Sequence, residues 1–184
     1  MDNKCKNIIF MKYGVHASEG VEQIIARKKN ELQNAGKMLW GYGGTICHPV
    51  NQIHPFLNGN VNRNEKTYLV MAYTPSEMHK NIFAAESYSI NKKKWIELPK
   101  GIHVYGSKYA IVCKSIEQCD FTVDLADYIV PIGNSCGRPL SEYVNGRIDK
   151  ACGRWDGKSK ERLSKPVHIT LCAEIDYPYA VFLK

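Results

Sequence analysis

Apolar positions along this chain fall into short runs whose spacing changes several times. Ile8, Ile9, Phe10 and Met11 form an unbroken run followed by Lys12, Tyr13, Gly14 and Val15, which predicts a strand over 7–15. The spacing then lengthens to that of a helix. Val21, Ile24, Ile25 and Leu32 share one face, and Arg27, Lys28, Lys29 and Glu31 fall mostly outside it. Ser18 is placed to cap that helix, Glu19 and Glu22 suit its first turn and Gly36 its left-handed stop, so a helix is expected over 18–35.

A short strand over 38–40 runs into a glycine-rich loop. The segment 48–65, rich in Asn, Pro and Gly, reads as irregular, and 67–73 as a buried strand. Thr74-Pro75-Ser76-Glu77 has the form of a capping box with proline at the first helical position, which predicts a helix over 75–86. Strands are expected over 94–98, 102–105, 109–114 and 127–132. The loop 133–139 precedes a second amphipathic helix, with Leu140, Tyr143, Val144, Ile148, Ala151 and Cys152 on one face and Arg147, Lys150 and Arg154 on the other. The alternating run 167–174 turns at Asp176-Tyr177-Pro178 into a last strand over 179–183. Strands outnumber helices too heavily for βαβ repetition. The expected architecture is α+β: a single domain over 1–184, with a mixed, mostly antiparallel sheet and about three helices.

Composition narrows the setting. A chain of 184 residues can bury a core without disulfides or metal. No apolar run reaches the ~18 residues of a membrane span, and no apolar segment of signal-peptide type follows the N-terminal residues. No membrane partner is expected, and the expected location is cytoplasmic. Seven cysteines, an odd number with no Cys-x-x-Cys pair, suit free thiols in a reducing compartment. Five residues separate Cys113 from Cys119, and Cys47-His48 with His54 is the other cluster; neither spacing suits zinc, so neither metal nor cofactor is expected.

The formal net charge of +7 favours anionic partners. It is uneven: 115–133 carries four acids and no Lys or Arg, whereas 138–165 carries eight basic residues against four acids. The second segment reads either as a solvated face or as a phosphate-binding wall.

The richest candidate chemistry lies in Trp40-Gly41-Tyr42-Gly43-Gly44-Thr45-Ile46-Cys47-His48. Glycines let backbone amides approach an anion, and Trp40 and Tyr42 offer stacking surfaces. The loop lacks the Gly-Lys-Ser/Thr end of a P-loop, and no helix is expected to receive a phosphate after it. Candidate ligand-binding residues are therefore Trp40, Gly41, Tyr42, Gly43, Gly44, Thr45 and His48, with His16 at the end of the first strand. The second loop adds Ser135 and Arg138 ahead of a helix, and the basic face adds Arg147. Cys136 has the setting of a nucleophile, but Arg138 is too near for a Cys-x5-Arg loop.

These features favour a cytosolic binding protein for a phosphate-bearing small ligand, a nucleotide or nucleotide-derived messenger, acting in sequestration or sensing. Besides a protein-interaction role with no ligand, two alternatives stay open. One is an enzyme on a nucleotide or nucleic acid, a hydrolase or glycosidase, which needs His16, His48, Cys136, Glu86 or Glu97 to converge. The other is non-specific nucleic-acid binding through the basic face. No catalytic pair is identifiable from the residues, and the oligomeric state is left open.

Overall fold

A computed structural model describes residues 5–78, 83–145, 148–157 and 162–184. Its spine is β1 (Asn7–His16), which pairs in parallel with β3 (Tyr68–Met78) and antiparallel with β9 (Lys150–Trp155). A strand flanked on both edges and covered on both faces has no polar side to show, hence the continuous apolar run. Ile9, Met11 and Tyr13 enter one core; Ile8 and Phe10 enter a second on the opposite face.

The longest strand, β10 (Pro166–Leu183), joins two halves of one ten-stranded sheet among the described residues, a first sheet around β1 and a second around β6 (Tyr109–Cys113). Its first half pairs with β3 and with β7 (Glu117–Asp124); its second half pairs with β4 (Ser87–Ser89) and with β6. The register shifts between Ile175 and Ala180, around a cis Tyr177–Pro178 peptide, which joins the two strands expected over 167–174 and 179–183. β2 (Met38–Tyr42) extends the second sheet from β6, and β5 (Ile96–Glu97) extends it from β4. β8 (Tyr128–Ile129) closes the first sheet beside β9. With α1 (Val21–Ala35), α2 (His54–Asn62) and the single-turn α3 (Leu140–Tyr143), the described residues form a mixed, mostly antiparallel α+β fold. None of their helices is long and apolar enough to cross a membrane.

Five expectations are corrected, one of them the strand over 102–105, which is only an isolated bridge at Tyr105. Helix α1 starts at Val21 behind Gly20, not at a Ser18 cap. His16 and Glu19 bond each other's backbones across Ala17 and Ser18, both at positive φ, so Ser18 is consumed by a tight turn. The segment 48–65 is ordered: a π-helical turn (Pro49–Ile53) leads into α2, with Pro49 and Pro55 in opening turns where no amide partner is lost. Asn60, fully buried, fixes α2 by donating to Thr67 Oγ1 at 2.8 Å and accepting from Arg63 Nη2 at 2.5 Å and Arg154 Nη2 at 3.4 Å.

The expected helix over 75–86 is instead the end of β3 as far as Met78, followed beyond the gap by a bridge from Ala84 to Tyr105; its residues 79–82 lie outside those described. Pro75 is tolerated because β10 pairs with β3 only as far as Met71, leaving an edge where a missing amide costs nothing. The expected second amphipathic helix ends after Tyr143. Ala151 and Cys152 belong to β9, where a Cβ on Gly153 would sit 2.7 Å from Leu140 Cδ2. That close approach, not a continuous helix, brings Leu140 against β9; Ala151 shares a core with Leu140 and Val144, whereas Cys152 enters the other.

Candidate ligand-binding cleft

β2 and β1 are separated by three strands in the sheet order, yet the Tyr13 and Trp40 rings meet edge to face at 5.9 Å. The sheet therefore curls, bringing the ends of β1 and β2 together. A cleft of about 110 Å³ opens there, against the ~10–15 Å³ that one water needs. β1 contributes Met11 to Gly14 and His16; β2 and its exit contribute Trp40, Gly41, Tyr42 and Gly43; α1 contributes Ile24, Arg27 and Lys28. The segment 103–107 forms a third wall, and Asp149 and Lys150 complete the lining.

Five of the residues singled out from sequence thus share one cleft: His16, Trp40, Gly41, Tyr42 and Gly43. Their roles differ. A Cβ on Gly41 would stand 2.4 Å from Ser107 Oγ and 2.6 Å from Val104 Cγ1, so this glycine lets β2 touch the 103–107 wall. A Cβ on Gly43 would meet nothing within 4 Å, so its backbone borders open space. Gly44 has φ +83°, and a Cβ there would be 4.0 Å from Lys150 Nζ. Thr45 is exposed and outside the lining. His48 packs instead against the Tyr109 and Phe182 rings, at 5.5 and 5.4 Å, where burial lowers its pKa.

Ser135 and Arg138 lie in the 133–139 loop rather than in this cleft. Its glycines at φ +85° close a turn in which Val130 N–H donates to the Arg138 carbonyl at 2.9 Å. The one-turn α3 that follows offers no extended helix N-terminus, which removes the basis for an anion site there. Arg147 lies outside the described residues. The residues required for a catalytic reading are distributed: His16 lines the first cleft, Glu86 and Glu97 a second, and His48 and Cys136 neither. Among the described residues no group of three His, Cys, Asp or Glu side chains is placed to hold a metal.

Side chains not anticipated from sequence shape the site. Lys28 and Glu31, expected on the solvent side of α1, are 3% and 0% exposed. Lys28 Nζ donates to Glu31 Oε1 at 2.8 Å, to the Leu39 carbonyl at 2.5 Å and to the His103 carbonyl at 3.2 Å. Glu31 also accepts from the Leu39 and His103 amides, each at 3.2 Å. One ion pair thus ties α1 to β2 and to the 103–107 wall. Beside it, Arg27 bonds Glu19 at 2.6 Å and its guanidinium lies 5.3 Å from the Tyr105 ring centre. His16 Nε2 meets the Tyr105 carbonyl at 2.9 Å, and the His103 and Tyr105 rings lie nearly parallel.

Charges in the wall are thereby largely matched. Arg27 and Lys28 face Glu19 and Glu31, and Lys150 lies 2.5 Å from Asp149. Lys150, beside Gly44, is the cation best placed to meet a ligand anion, and it is already paired with Asp149.

Buried titrating groups give a signed pH dependence. Burial raises the pKa of Cys113, Tyr42 and Tyr128, so each keeps its proton in the folded state after the unfolded chain has lost it. Their contribution is complete below the ordinary thiol and phenol values and is lost as pH rises through and beyond them. Lys28 runs the other way: burial lowers it to about 8, so the folded state gains stability between that value and the unfolded one. With several raised groups against this offset, Tm is expected to fall across pH 9–10.5. Thermal melts over that range check it; a rising Tm would contradict it.

No family model matches this chain, and no curated protein or solved structure matches it either.

Proposed function

We propose that the cleft binds a phosphate-bearing small ligand of nucleotide type, and that the protein acts in the cytoplasm to sequester or sense it. One observation carries the reading. The open backbone edge at Gly43 and the Lys150 ammonium beside Gly44 lie in the same cleft as the Tyr13–Trp40 aromatic wall. Glycine amides and a lysine suit phosphate oxygens, and aromatic walls suit a flat base. The net charge of +7 supports an anionic ligand, although Arg27, Lys28 and Lys150 each already face a carboxylate, which keeps the local attraction small.

The test is mass spectrometry of small molecules released by heat from the purified protein, followed by a thermal-shift panel of linear and cyclic nucleotides. Recovery of an intact nucleotide supports binding; recovery of a cleaved product supports an enzyme instead. With a nucleotide from that panel, Gly43→Val is expected to weaken binding by about 100-fold or more, because the added side chain fills the cleft. The unliganded fold is expected to survive it, since the Cβ position is open. Lys150→Met removes a charge-assisted contact of about 1.5–3 kcal/mol, and is expected to weaken binding about 10- to 100-fold. Unchanged binding in both variants places the site elsewhere.

A further inference from the structure

A second face of the molecule carries a different combination of groups. The β4–β5 hairpin joins its strands through Lys92, Lys93 and Lys94, all exposed. Lys184 is clasped against its base, its amide donating to the Ser87 carbonyl at 3.0 Å and its carbonyl accepting from the Glu86 and Ser87 amides. Lys100 and Lys108, also exposed, lie near by in sequence and pairing: Lys100 lines the hairpin's cleft and Lys108 bonds the backbone of Leu183. Against these lysines the same face carries the acids Glu86 and Glu97.

Trp95 follows the lysine run directly. It is 36% exposed and lines an open cleft of about 560 Å³ together with Leu98, Pro99 and Lys100. Lys184 Nζ lies 5.8 Å from its ring centre. A tryptophan beside a concave opening suits a flat ring entering from solvent better than it suits insertion into a bilayer, which needs the apolar group at a protruding tip. The tip here is lysine.

We propose that this face binds single-stranded nucleic acid, with phosphates on the 92–94 lysines and a base against Trp95. Lysines that follow a backbone next to an aromatic platform give affinity without sequence readout. The site shares only His103 with the lining of the Gly43 cleft and does not depend on the reading given to it.

The experiment is fluorescence anisotropy of end-labelled oligothymidylate, 20 nucleotides long, with the full chain between 50 and 200 mM KCl. Lys92 is left in place because its ammonium lies 4.6 Å from the Phe182 ring centre. The double variant Lys93→Glu/Lys94→Glu is expected to bind at least about tenfold more weakly, with a salt slope shallower by about 1.4. Trp95→Ala is expected to weaken binding about tenfold, and Gly43→Val to leave it unchanged. All variants are first checked for an unchanged Tm. The proposal is overturned if the oligonucleotide is not bound at 20 μM protein, or if the double variant binds as wild type. It is also overturned if phosphatidylserine vesicles, but not the oligonucleotide, capture the protein through these lysines, which would assign the face to a membrane surface.

Discussion

Glu31→Ala is expected to lower folding stability by about 3–5 kcal/mol, the range for removing one partner of a buried ion pair. For a domain of this size that corresponds to about 6–20 °C in Tm. The size follows from what the carboxylate satisfies. It takes Lys28 Nζ at 2.8 and 3.0 Å, Arg27 Nη1 at 3.3 Å, and two backbone amides. Alanine leaves the Lys28 ammonium buried with only the Leu39 and His103 carbonyls as acceptors, and strands both amides. The pH dependence separates this from simple loss of packing. Lys28 is already lowered to about 8 by burial, and Glu31 is the charge that holds it up, so the variant sheds the proton at lower pH. The deficit relative to wild type should therefore narrow as pH rises to about 8 and stay constant above it, once the lysine is neutral in both proteins. Denaturant melts at pH 7 and 9.5 measure this; a deficit below about 1 kcal/mol, or one unchanged by pH, would show that the pair contributes little.

Gly41→Val should be the most damaging glycine substitution at the cleft, by a different route from Gly43→Val. The Cβ alone would overlap Ser107 Oγ, Ser107 Cβ at 2.9 Å and Val104 Cγ1. These are short side chains fixed close to their own backbone, so the 103–107 wall has to move. Overpacking of this kind costs about 1–3 kcal/mol, and the displaced wall carries His103, Tyr105 and Ser107 away from the cleft. Stability and ligand binding are therefore expected to fall together in Gly41→Val, whereas Gly43→Val loses binding alone. If Gly41→Val melts within about 1 °C of wild type, corresponding to well under 1 kcal/mol, the wall yields freely and the distinction fails.

Local patterns were legible where one element is buried by its own spacing. The run at Ile8–Met11 identified β1, Ile24 and Ile25 located the buried face of α1, and Gly36 at φ +68° ended that helix as expected. Misreadings arose where tertiary packing overruled a local signal. Thr74-Pro75-Ser76-Glu77 has the chemistry of a helix start, but pairing with β1 holds it extended. Leu140 and Ala151 have helical spacing, yet they share a core from a helical turn and a strand.

The cleft was half legible for the same reason. Trp40 to Gly43 announce themselves within one short stretch. Lys12, Arg27, Lys28 and Lys150 are ordinary surface residue types from three separate segments, and only the curl of the sheet assembles them. The i,i+3 spacing of Lys28 and Glu31 was a visible sign of their pairing, but it gave no sign of burial.

The sharing of β10 between two sheets has a consequence for synthesis on the ribosome. β3, β4, β6 and β7 are all made before the strand they pair with. At about 5–20 residues per second, the stretch between the end of β3 and the start of β10 takes roughly 5–20 s to translate. The partners of β10 accumulate during that interval with their edges open, and neither core can close until β10 is made. The nascent chain is therefore a natural client for chaperones, and its commitment to the folded state is late and common to both sheets.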